Sequence, residues 1–245
     1  MSLKNFLKKI PLIKNIVKKL NNQNERDKFV IDSLSKITQN SSLLDAGCGD
    51  QRYKNYCNHL KYFAQDFGQY SVDEKKMLVS KGIGGTDGYK YGKLDYICNI
   101  WDIKEKSNTF DVILCTEVFE HIPYPIETVK EFRRLLKPGG QLILTAPSNC
   151  LRHMDPYFFY TGFSDRWFEK ILNENDFEIN VMEVIGDYYS WISVELARTG
   201  MSHSILAKIM VFPAFIYYYF KKKNKLSINT LCMGYHIVAK KKSNI

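Results

Sequence analysis

A short apolar run leads into two glycines and two carboxylates, in the order Leu43-Leu44-Asp45-Ala46-Gly47-Cys48-Gly49-Asp50. A strand followed by such a turn lets the backbone approach a ligand closely, because Gly47 and Gly49 carry no side chain. Asp66 follows Gly49 by 17 residues, at the end of the next apparent strand. A carboxylate there can accept both hydroxyls of a ribose. The spacing therefore predicts a site for a nucleoside-containing cofactor.

The charges around the glycine turn indicate which cofactor it suits. Asp45 and Asp50 would repel the pyrophosphate of a dinucleotide, whereas they would attract the sulfonium and ammonium groups of S-adenosylmethionine. Asp50 and Gln51 also stand where a dinucleotide fingerprint continues toward its third glycine. We therefore predict S-adenosylmethionine as the cofactor, with Asp45 meeting its ammonium group directly or through water. The predicted contacts around the turn are Asp45, Gly47, Cys48, Gly49, Asp66 and Phe67.

Three further polar side chains follow the fourth apparent strand. Glu117, Glu120 and His121 are spaced i, i+3 and i+4, which on a helical turn places them on one face. Two carboxylates and an imidazole can bind a divalent cation. Two other interpretations stay open at this point: His121 is a general base that needs no metal, or it only caps or packs against the following helix.

Short apolar segments alternate with helical stretches from Ser41 onward, and these elements must position the polar residues. The predicted strands cover residues 43–46, 62–65, 96–100, 110–115, 141–146, 177–185 and 232–239. The alternation predicts a mostly parallel sheet with helices on both faces, a Rossmann-like α/β fold. A chain of 245 residues fits one such domain with additions.

The sequence resembles the class I S-adenosylmethionine-dependent methyltransferases, of the type 11 and ubiquinone O-methyltransferase kind, over about residues 27–240. The motifs that carry the resemblance are Leu44-Asp45-Ala46-Gly47-Cys48-Gly49, Phe110-Asp111-Val112-Ile113, Glu117-Val118-Phe119-Glu120-His121-Ile122 and Arg134-Leu135-Leu136-Lys137-Pro138-Gly139-Gly140. The resemblance implies a seven-stranded sheet whose last strand is antiparallel and follows a helical insertion. It also implies an adenine contact after the third strand, which Asp102 and Ile103 match best, with Asn99 as an alternative.

The Glu-x-x-Glu-His pattern resembles that of magnesium-dependent O-methyltransferases, including the ubiquinone O-methyltransferases and the plant small-RNA 2′-O-methyltransferases. This resemblance implies that Glu117, Glu120 and His121 bind Mg²⁺ or Mn²⁺, with His153 as the fourth ligand. The metal would hold the acceptor oxygen and lower its pKa. Without a metal, His121 or His153 would be the catalytic general base. The aromatic residues 157–160 either line the acceptor pocket or fill the core.

The net charge of +9 comes from the ends of the chain. Residues 1–20 contain six lysines and residues 221–245 contain seven, with no acid in either segment, which leaves 9 − 13 = −4 for the middle. Residues 1–22 are predicted to form a basic amphipathic segment that is helical, because its apolar residues recur at three- and four-residue steps with lysines between them, ahead of a methyltransferase domain over 23–245. Both this segment and the insertion at 188–229 are predicted either to contact an anionic membrane surface or to pack on the domain, the insertion as an active-site cap.

Six scattered cysteines without a Cys-x-x-Cys pair suit a reducing cytoplasm. We therefore expect a cytoplasmic enzyme that is peripheral on the inner face of the membrane. The basic amphipathic opening, the stretch from Pro147-Ser148-Asn149 to Phe158, and the apolar insertion before Gly234-Tyr235-His236 resemble methyltransferases of surface-polysaccharide and other glycan assembly. The first hypothesis is therefore O-methylation of a sugar or lipid-linked glycan hydroxyl, and the second is O-methylation of a membrane quinone phenol.

Two further classes of function are weaker on the sequence. RNA 2′-O-methylation is disfavoured by the mildly acidic middle of the chain and by the lack of an appended RNA module, so nucleic acid is not an expected partner. A non-catalytic scaffold that binds S-adenosylmethionine is disfavoured by the intact cofactor residues. The sequence predicts a small-molecule or glycan acceptor and assigns no oligomeric state.

Overall fold

The computed structural model describes residues 22–69, 91–202 and 204–243. The strands in these residues are β1 (Ser42–Ala46), β2 (Lys61–Asp66), β3 (Tyr96–Ile97), β4 (Phe110–Thr116), β5 (Leu136–Pro147), β6 (Phe177–Ile185) and β7 (Gly234–Lys241). The helices are α1 (Gln23–Leu34), α2 (Pro125–Leu135), α3 (Asp165–Glu174), α4 (Tyr188–Ser202), α5 (Ile205–Phe220) and α6 (Lys225–Thr230). The predicted amphipathic segment at 1–22 lies outside the described residues except for its last residue.

The seven strands form one sheet in the order β3-β2-β1-β4-β5-β7-β6. The pairs β1–β2, β1–β4, β2–β3 and β4–β5 are parallel, whereas β7 runs antiparallel to β5. The Rossmann-like sheet with an antiparallel last strand is therefore confirmed. The strand order reverses between β1 and β4, and the crevice at their carboxyl ends is where open α/β sheets bind ligands.

The middle of the sheet is buried, as parallel strands covered by helices require. Leu43 of β1 and the pair Val112 and Leu114 of β4 lie in one apolar cluster with Val30 and Leu34 of α1. These strands carry continuous apolar runs, which explains why their positions were predictable from the sequence. The main differences are β3, which is shorter than predicted, and β5, which begins earlier, at Leu136.

Two of the motifs that carry the family resemblance are structural. The carboxylate of Asp111 accepts hydrogen bonds from the Ser42 N–H and from Lys137 Nζ, both at 2.8 Å. A Cβ atom at Gly140 would lie 2.9 Å from the Lys137 carbonyl oxygen and 3.0 Å from that of Asp111. These contacts fix the register of β1, β4 and β5 at their amino ends, the edge opposite the predicted site.

The insertion before the last strand is helical, as predicted, and residues 185–233 belong to one compact unit with residues 22–28. Buried Asp187 connects two of its helices. Asp187 precedes α4, and its carboxylate accepts hydrogen bonds from the Ser190 N–H in the first turn of that helix at 2.9 Å and from Ser227 Oγ of α6 at 2.6 Å. Burial alone would raise the pKa of Asp187, but these hydrogen bonds hold it below its usual value. In the part of the chain that is described, no helix combines the length and the apolar character needed to cross a membrane.

Candidate functional site

The glycine turn after β1 is held against β2 by Gln65. The Gly47 N–H donates to both the backbone and the side-chain oxygen of Gln65, at 2.9 and 3.0 Å, and the Cys48 N–H donates to the backbone oxygen at 3.0 Å. The Gln65 amide donates in turn to the Cys98 carbonyl oxygen at 2.7 Å. Sequence reasoning missed Gln65, because nothing in its spacing distinguishes it from any other strand residue.

Position 47 needs a glycine for two reasons, its backbone conformation and the close approach of a neighbouring side chain. Its φ is +71°, and a Cβ atom added there would lie 2.6 and 2.8 Å from the two methyl groups of Val118. Val118 follows β4, so the turn after β1 packs closely against the segment after β4. This contact brings the two predicted halves of the site together.

We expect Gly47→Ala to lower the free energy of unfolding by about 1 to 3 kcal/mol and to weaken cofactor binding. Adding Val118→Ala should recover only part of the loss, because the positive φ remains. Gly139→Ala is the matched control, since Gly139 has a φ of +76° and its nearest neighbour would be 3.5 Å from the new Cβ. Urea unfolding of the three variants and of the unmodified protein measures the cost of the positive φ and the cost of the contact with Val118. Equal losses for Gly47→Ala and Gly139→Ala would show that the contact with Val118 contributes nothing.

Asp66 joins the glycine turn to the segment after β2. It is buried, and its two carboxylate oxygens accept hydrogen bonds from the Gly49 N–H at 3.0 Å and from the Gly68 N–H at 3.1 Å. Each carboxylate oxygen has a second lone pair that can accept a ligand hydroxyl. The structure therefore places Asp66 directly beside the turn, where the sequence predicted a ribose acceptor.

Asp45 is buried at the end of β1, and Tyr62 Oη donates a 2.6 Å hydrogen bond to its carboxylate. Burial raises the pKa of Asp45 to about 7, with smaller contributions in the same direction from the charges of Asp66 and Asp50. The hydrogen bond from Tyr62 acts in the opposite direction. The charge of Asp45 therefore changes near neutral pH, and a bound cation would favour its ionised form.

Glu117 does not lie on a helical turn with Glu120 and His121, which corrects the expectation of a shared face. Its φ is +53°, and the short helical turn begins only at Phe119. The left-handed backbone directs the Glu117 carboxylate to β5, where it accepts a 3.0 Å hydrogen bond from Thr145 Oγ1. Spacing alone could not reveal this, because the prediction assumed helical dihedral angles at every position.

Within the described residues, Glu120, His121 and His153 form a group that could hold a metal ion. One potential ligand atom from each lies within 4.8 Å of the others, and Glu120 Oε1 is 3.6 Å from His121 Nε2. The two imidazole rings are nearly perpendicular, with centroids 4.6 Å apart. The structure thus brings together three of the four predicted ligands and leaves Glu117 outside the group.

Backbone carbonyl groups orient both histidines. His121 Nδ1 lies 2.6 Å from the carbonyl oxygen of Tyr157, and His153 Nδ1 lies 2.8 Å from that of Leu151. A ring with Nδ1–H bonded to a carbonyl presents Nε2 as the free ligand atom. Burial, assisted by the neighbouring His153, lowers the pKa of His121 to about 4. His121 is therefore neutral at pH 7, the form that binds metals.

The loop between β5 and α3, residues 148–164, brings His153 to the end of β4. The Phe159 N–H donates to the Glu120 carbonyl oxygen at 2.9 Å, which ties this loop to the short helical turn. The Tyr157 ring packs edge-on against Phe67, with centroids 4.8 Å apart. Through Tyr157 the loop therefore contacts both the segment beside Asp66 and the imidazole of His121.

Asp102 and Ile103, the predicted adenine contacts, both have partners within the protein. Ile103 is fully buried and its N–H donates to Glu131 at 2.8 Å, so this donor is engaged within the protein. The exposed Asp102 carboxylate pairs with Lys104 Nζ at 2.6 Å. An adenine contact from Asp102 or Ile103 therefore stays a prediction. Asn99, exposed just after β3, stays a prediction.

A family model described as a methyltransferase domain matches residues 20–182. The relatives include an uncharacterized protein of Methanocaldococcus jannaschii, 29% identical over 58% of this chain and 55% of its own length. The mitochondrial ubiquinone biosynthesis O-methyltransferase of Schizosaccharomyces pombe is 29% identical over 44% of this chain and 39% of its own length. The chain therefore spans about half or less of the length of these relatives.

Among solved structures, phosphoethanolamine N-methyltransferase 2 of Haemonchus contortus, in complex with S-adenosyl-L-methionine, matches with a TM-score of 0.51. The match covers 100% of this chain and 60% of that one, at 15% identity. Identity at this level shows a shared fold alone. It agrees with the sheet order, which places the glycine turn and Asp66 at the crevice of a Rossmann-like sheet.

Proposed function

Since the chain belongs to the methyltransferase-domain family and is a class I S-adenosylmethionine-dependent methyltransferase, we propose that it methylates a hydroxyl of a sugar or lipid-linked glycan. The observation that carries O-methylation is the group formed by Glu120, His121 and His153. Its Glu120 and His121 follow β4, and Val118 of the same segment packs on Gly47 of the predicted cofactor turn. An acceptor oxygen held at this group would therefore lie beside the predicted cofactor site.

The residues around the glycine turn fit S-adenosylmethionine. Its ammonium group would pair with Asp45, and its ribose hydroxyls would donate to Asp66. Gly47 and Gly49 would let the cofactor approach the backbone closely, because they carry no side chain. The bound cofactor supplies the methyl group, which transfers in line from sulfur to the acceptor oxygen. Two buried carboxylates beside an open backbone favour a cationic ligand with a ribose over a dinucleotide.

We expect the affinity for S-adenosylmethionine to rise roughly tenfold between about pH 5.5 and pH 7. Asp45 has a pKa of about 7, so it is protonated at the lower pH and loses its attraction for the ammonium group. Calorimetric titrations across this range measure how steeply the affinity depends on pH. Asp45→Asn should flatten it, and Tyr62→Phe should move its midpoint to higher pH by removing the donor to the carboxylate. An affinity that falls as the pH rises would contradict this role of Asp45.

The proposed metal site consists of Glu120, His121 and His153. Two imidazoles and one carboxylate suit a borderline transition ion better than Mg²⁺, which prefers oxygen ligands and near-ideal octahedral geometry. Among the two ions that the sequence suggested, we therefore favour Mn²⁺. When bound, the ion lowers the pKa of the acceptor hydroxyl and orients it. The protein's part is to present Nε2 of both histidines, through the carbonyl groups of Tyr157 and Leu151.

Two aromatic side chains lie near the two histidines, Phe158 against both rings and Tyr157 in the same loop. The Phe158 ring centroid lies 5.4 Å from that of His153, and Tyr157 packs on Phe67. Such rings can stack on the apolar face of a sugar or on a quinone. The quinone phenol is the second candidate acceptor, because relatives named as ubiquinone biosynthesis O-methyltransferases match this chain. In both cases we propose a peripheral enzyme on the inner face of the membrane, where lipid-linked acceptors lie.

Transfer of labelled methyl from S-adenosylmethionine into an extract of the source organism tests the acceptor. The labelled extract is separated into lipid, polysaccharide, RNA and small-molecule fractions. Label in lipid or polysaccharide that is released by glycan-digesting treatment supports the glycan, whereas lipid label that resists this treatment supports the quinone. Label in RNA, or in no fraction, would overturn both proposals.

A further inference from the structure

Helix α5 presents a continuous apolar face to solvent. Its large exposed hydrophobic residues, each at least 57% exposed, are Ile205, Leu206, Ile209, Met210, Phe212, Tyr217 and Phe220. At 3.6 residues per turn these positions cover about 160° of the helix circumference. Exposed apolar residues that stand singly are ordinary on a protein surface, but a contiguous stripe along a whole helix marks an interaction surface.

Positive charge lies at the carboxyl end of this stripe. Lys221, Lys222, Lys223 and Lys225 are all exposed, and residues 204–230 contain no acidic residue. Lys221 Nζ lies 4.7 Å from the ring centroid of Tyr217, at the edge of the apolar face. This arrangement complements an anionic lipid layer: the apolar stripe suits the acyl chains, the tyrosine lies at the border, and the lysines suit the headgroup phosphates.

We propose that the exposed face of α5, with Lys221–Lys223 and Lys225, docks this enzyme on an anionic lipid surface. A helix of 16 residues is about 24 Å long and shorter than the hydrocarbon core of a bilayer, so α5 lies along the interface. Its apolar side chains enter the boundary between headgroups and acyl chains, and the lysines meet lipid phosphates. The docking surface does not depend on which acceptor the enzyme methylates.

The lysines favour lipid over a second copy of the chain as the occupant of this face. Two copies that paired with parallel α5 helices would place their lysine clusters side by side, where like charges repel. Two copies that paired with antiparallel helices would leave each cluster without an acidic partner, because residues 204–230 contain no acid. An anionic membrane instead neutralises each cluster, and each lysine near such a surface strengthens binding roughly fivefold. Self-association remains a measurable outcome, and it would exclude the proposal.

Co-sedimentation of the full chain with vesicles tests this surface. The probes are vesicles of phosphatidylcholine with one quarter phosphatidylglycerol, and vesicles of pure phosphatidylcholine. Replacing Lys221, Lys222 and Lys223 by glutamine should weaken binding to the anionic vesicles on the order of 100-fold. The matched control makes the same change at three exposed lysines elsewhere, Lys36, Lys106 and Lys130, and should bind like the unmodified protein.

A second variant tests the apolar face itself. Ile209→Ser with Phe212→Ser should reduce vesicle binding at least about tenfold, while calorimetry with S-adenosylmethionine shows that the variant is folded. Vesicle binding that both variants retain in full would overturn the proposal and assign binding to another segment. Light scattering that shows a dimer of the unmodified protein, lost in Ile209→Ser with Phe212→Ser, would also overturn it. Failure of methyl transfer to any acceptor would count against the proposed function alone, because neither readout uses an acceptor.

Discussion

Removal of divalent cations with a chelator should lower methyl transfer at least about 100-fold, while binding of S-adenosylmethionine stays unchanged. The reason is that Glu120, His121 and His153 offer three ligand atoms within 4.8 Å of one another, and none of them belongs to the glycine turn that we propose as the cofactor site. Added Mn²⁺ should restore turnover more effectively than Mg²⁺. Turnover that is indifferent to the chelator would eliminate the metal site and leave His121 or His153 as the candidate base.

Single substitutions locate the ligands. Glu120→Gln and His153→Ala should each reproduce the loss seen on chelation, and added metal should not restore their activity. Glu117→Gln is the discriminating variant, because the Glu117 carboxylate accepts a hydrogen bond from Thr145 Oγ1 instead of joining the group. We expect its turnover to remain sensitive to the chelator and within about tenfold of the unmodified enzyme. A larger loss of turnover in Glu117→Gln than in Glu120→Gln would show that Glu117 is a metal ligand.

Asp66→Ala should raise the dissociation constant for S-adenosylmethionine at least about 100-fold, since hydrogen bonds to a charged group contribute about 1.5 to 3 kcal/mol each. The substitution removes the acceptor for the ribose hydroxyls. It also leaves the N–H groups of Gly49 and Gly68 without the carboxylate that positions them. Isothermal titration at neutral pH measures the change.

Asp50→Ala is the matched control for Asp66→Ala. Asp50 carries the same charge and lies in the same turn, but its side chain is exposed. We expect its dissociation constant to stay within about threefold of the unmodified protein, because exposed charges interact weakly through water. An unchanged affinity of Asp66→Ala would remove Asp66 from the site. Equal losses in both variants would point to the overall negative charge of the turn as the cause.

The sequence by itself determined the fold and predicted the residues that we propose as the cofactor site. Parallel strands that are buried on both faces need continuous apolar runs. The strands at Leu43-Leu44 and from Val112 to Cys115 could therefore be predicted from the sequence. The glycine turn was equally predictable, because its tight backbone is a local requirement that the neighbouring residues show directly. Asp66 could be added because parallel strands end at the same edge of a sheet.

Only the tertiary structure decided which side chains meet on the proposed acceptor side of the site. His153 reaches His121 because the loop at 148–164 folds back onto the short helical turn, a contact between residues far apart in the chain. Glu117 is excluded because one left-handed dihedral angle turns its carboxylate toward Thr145. Spacing along a sequence reports which residues can share a face only where the backbone is regular. Where a loop or an irregular dihedral angle intervenes, packing and hydrogen bonds with distant segments determine which side chains meet.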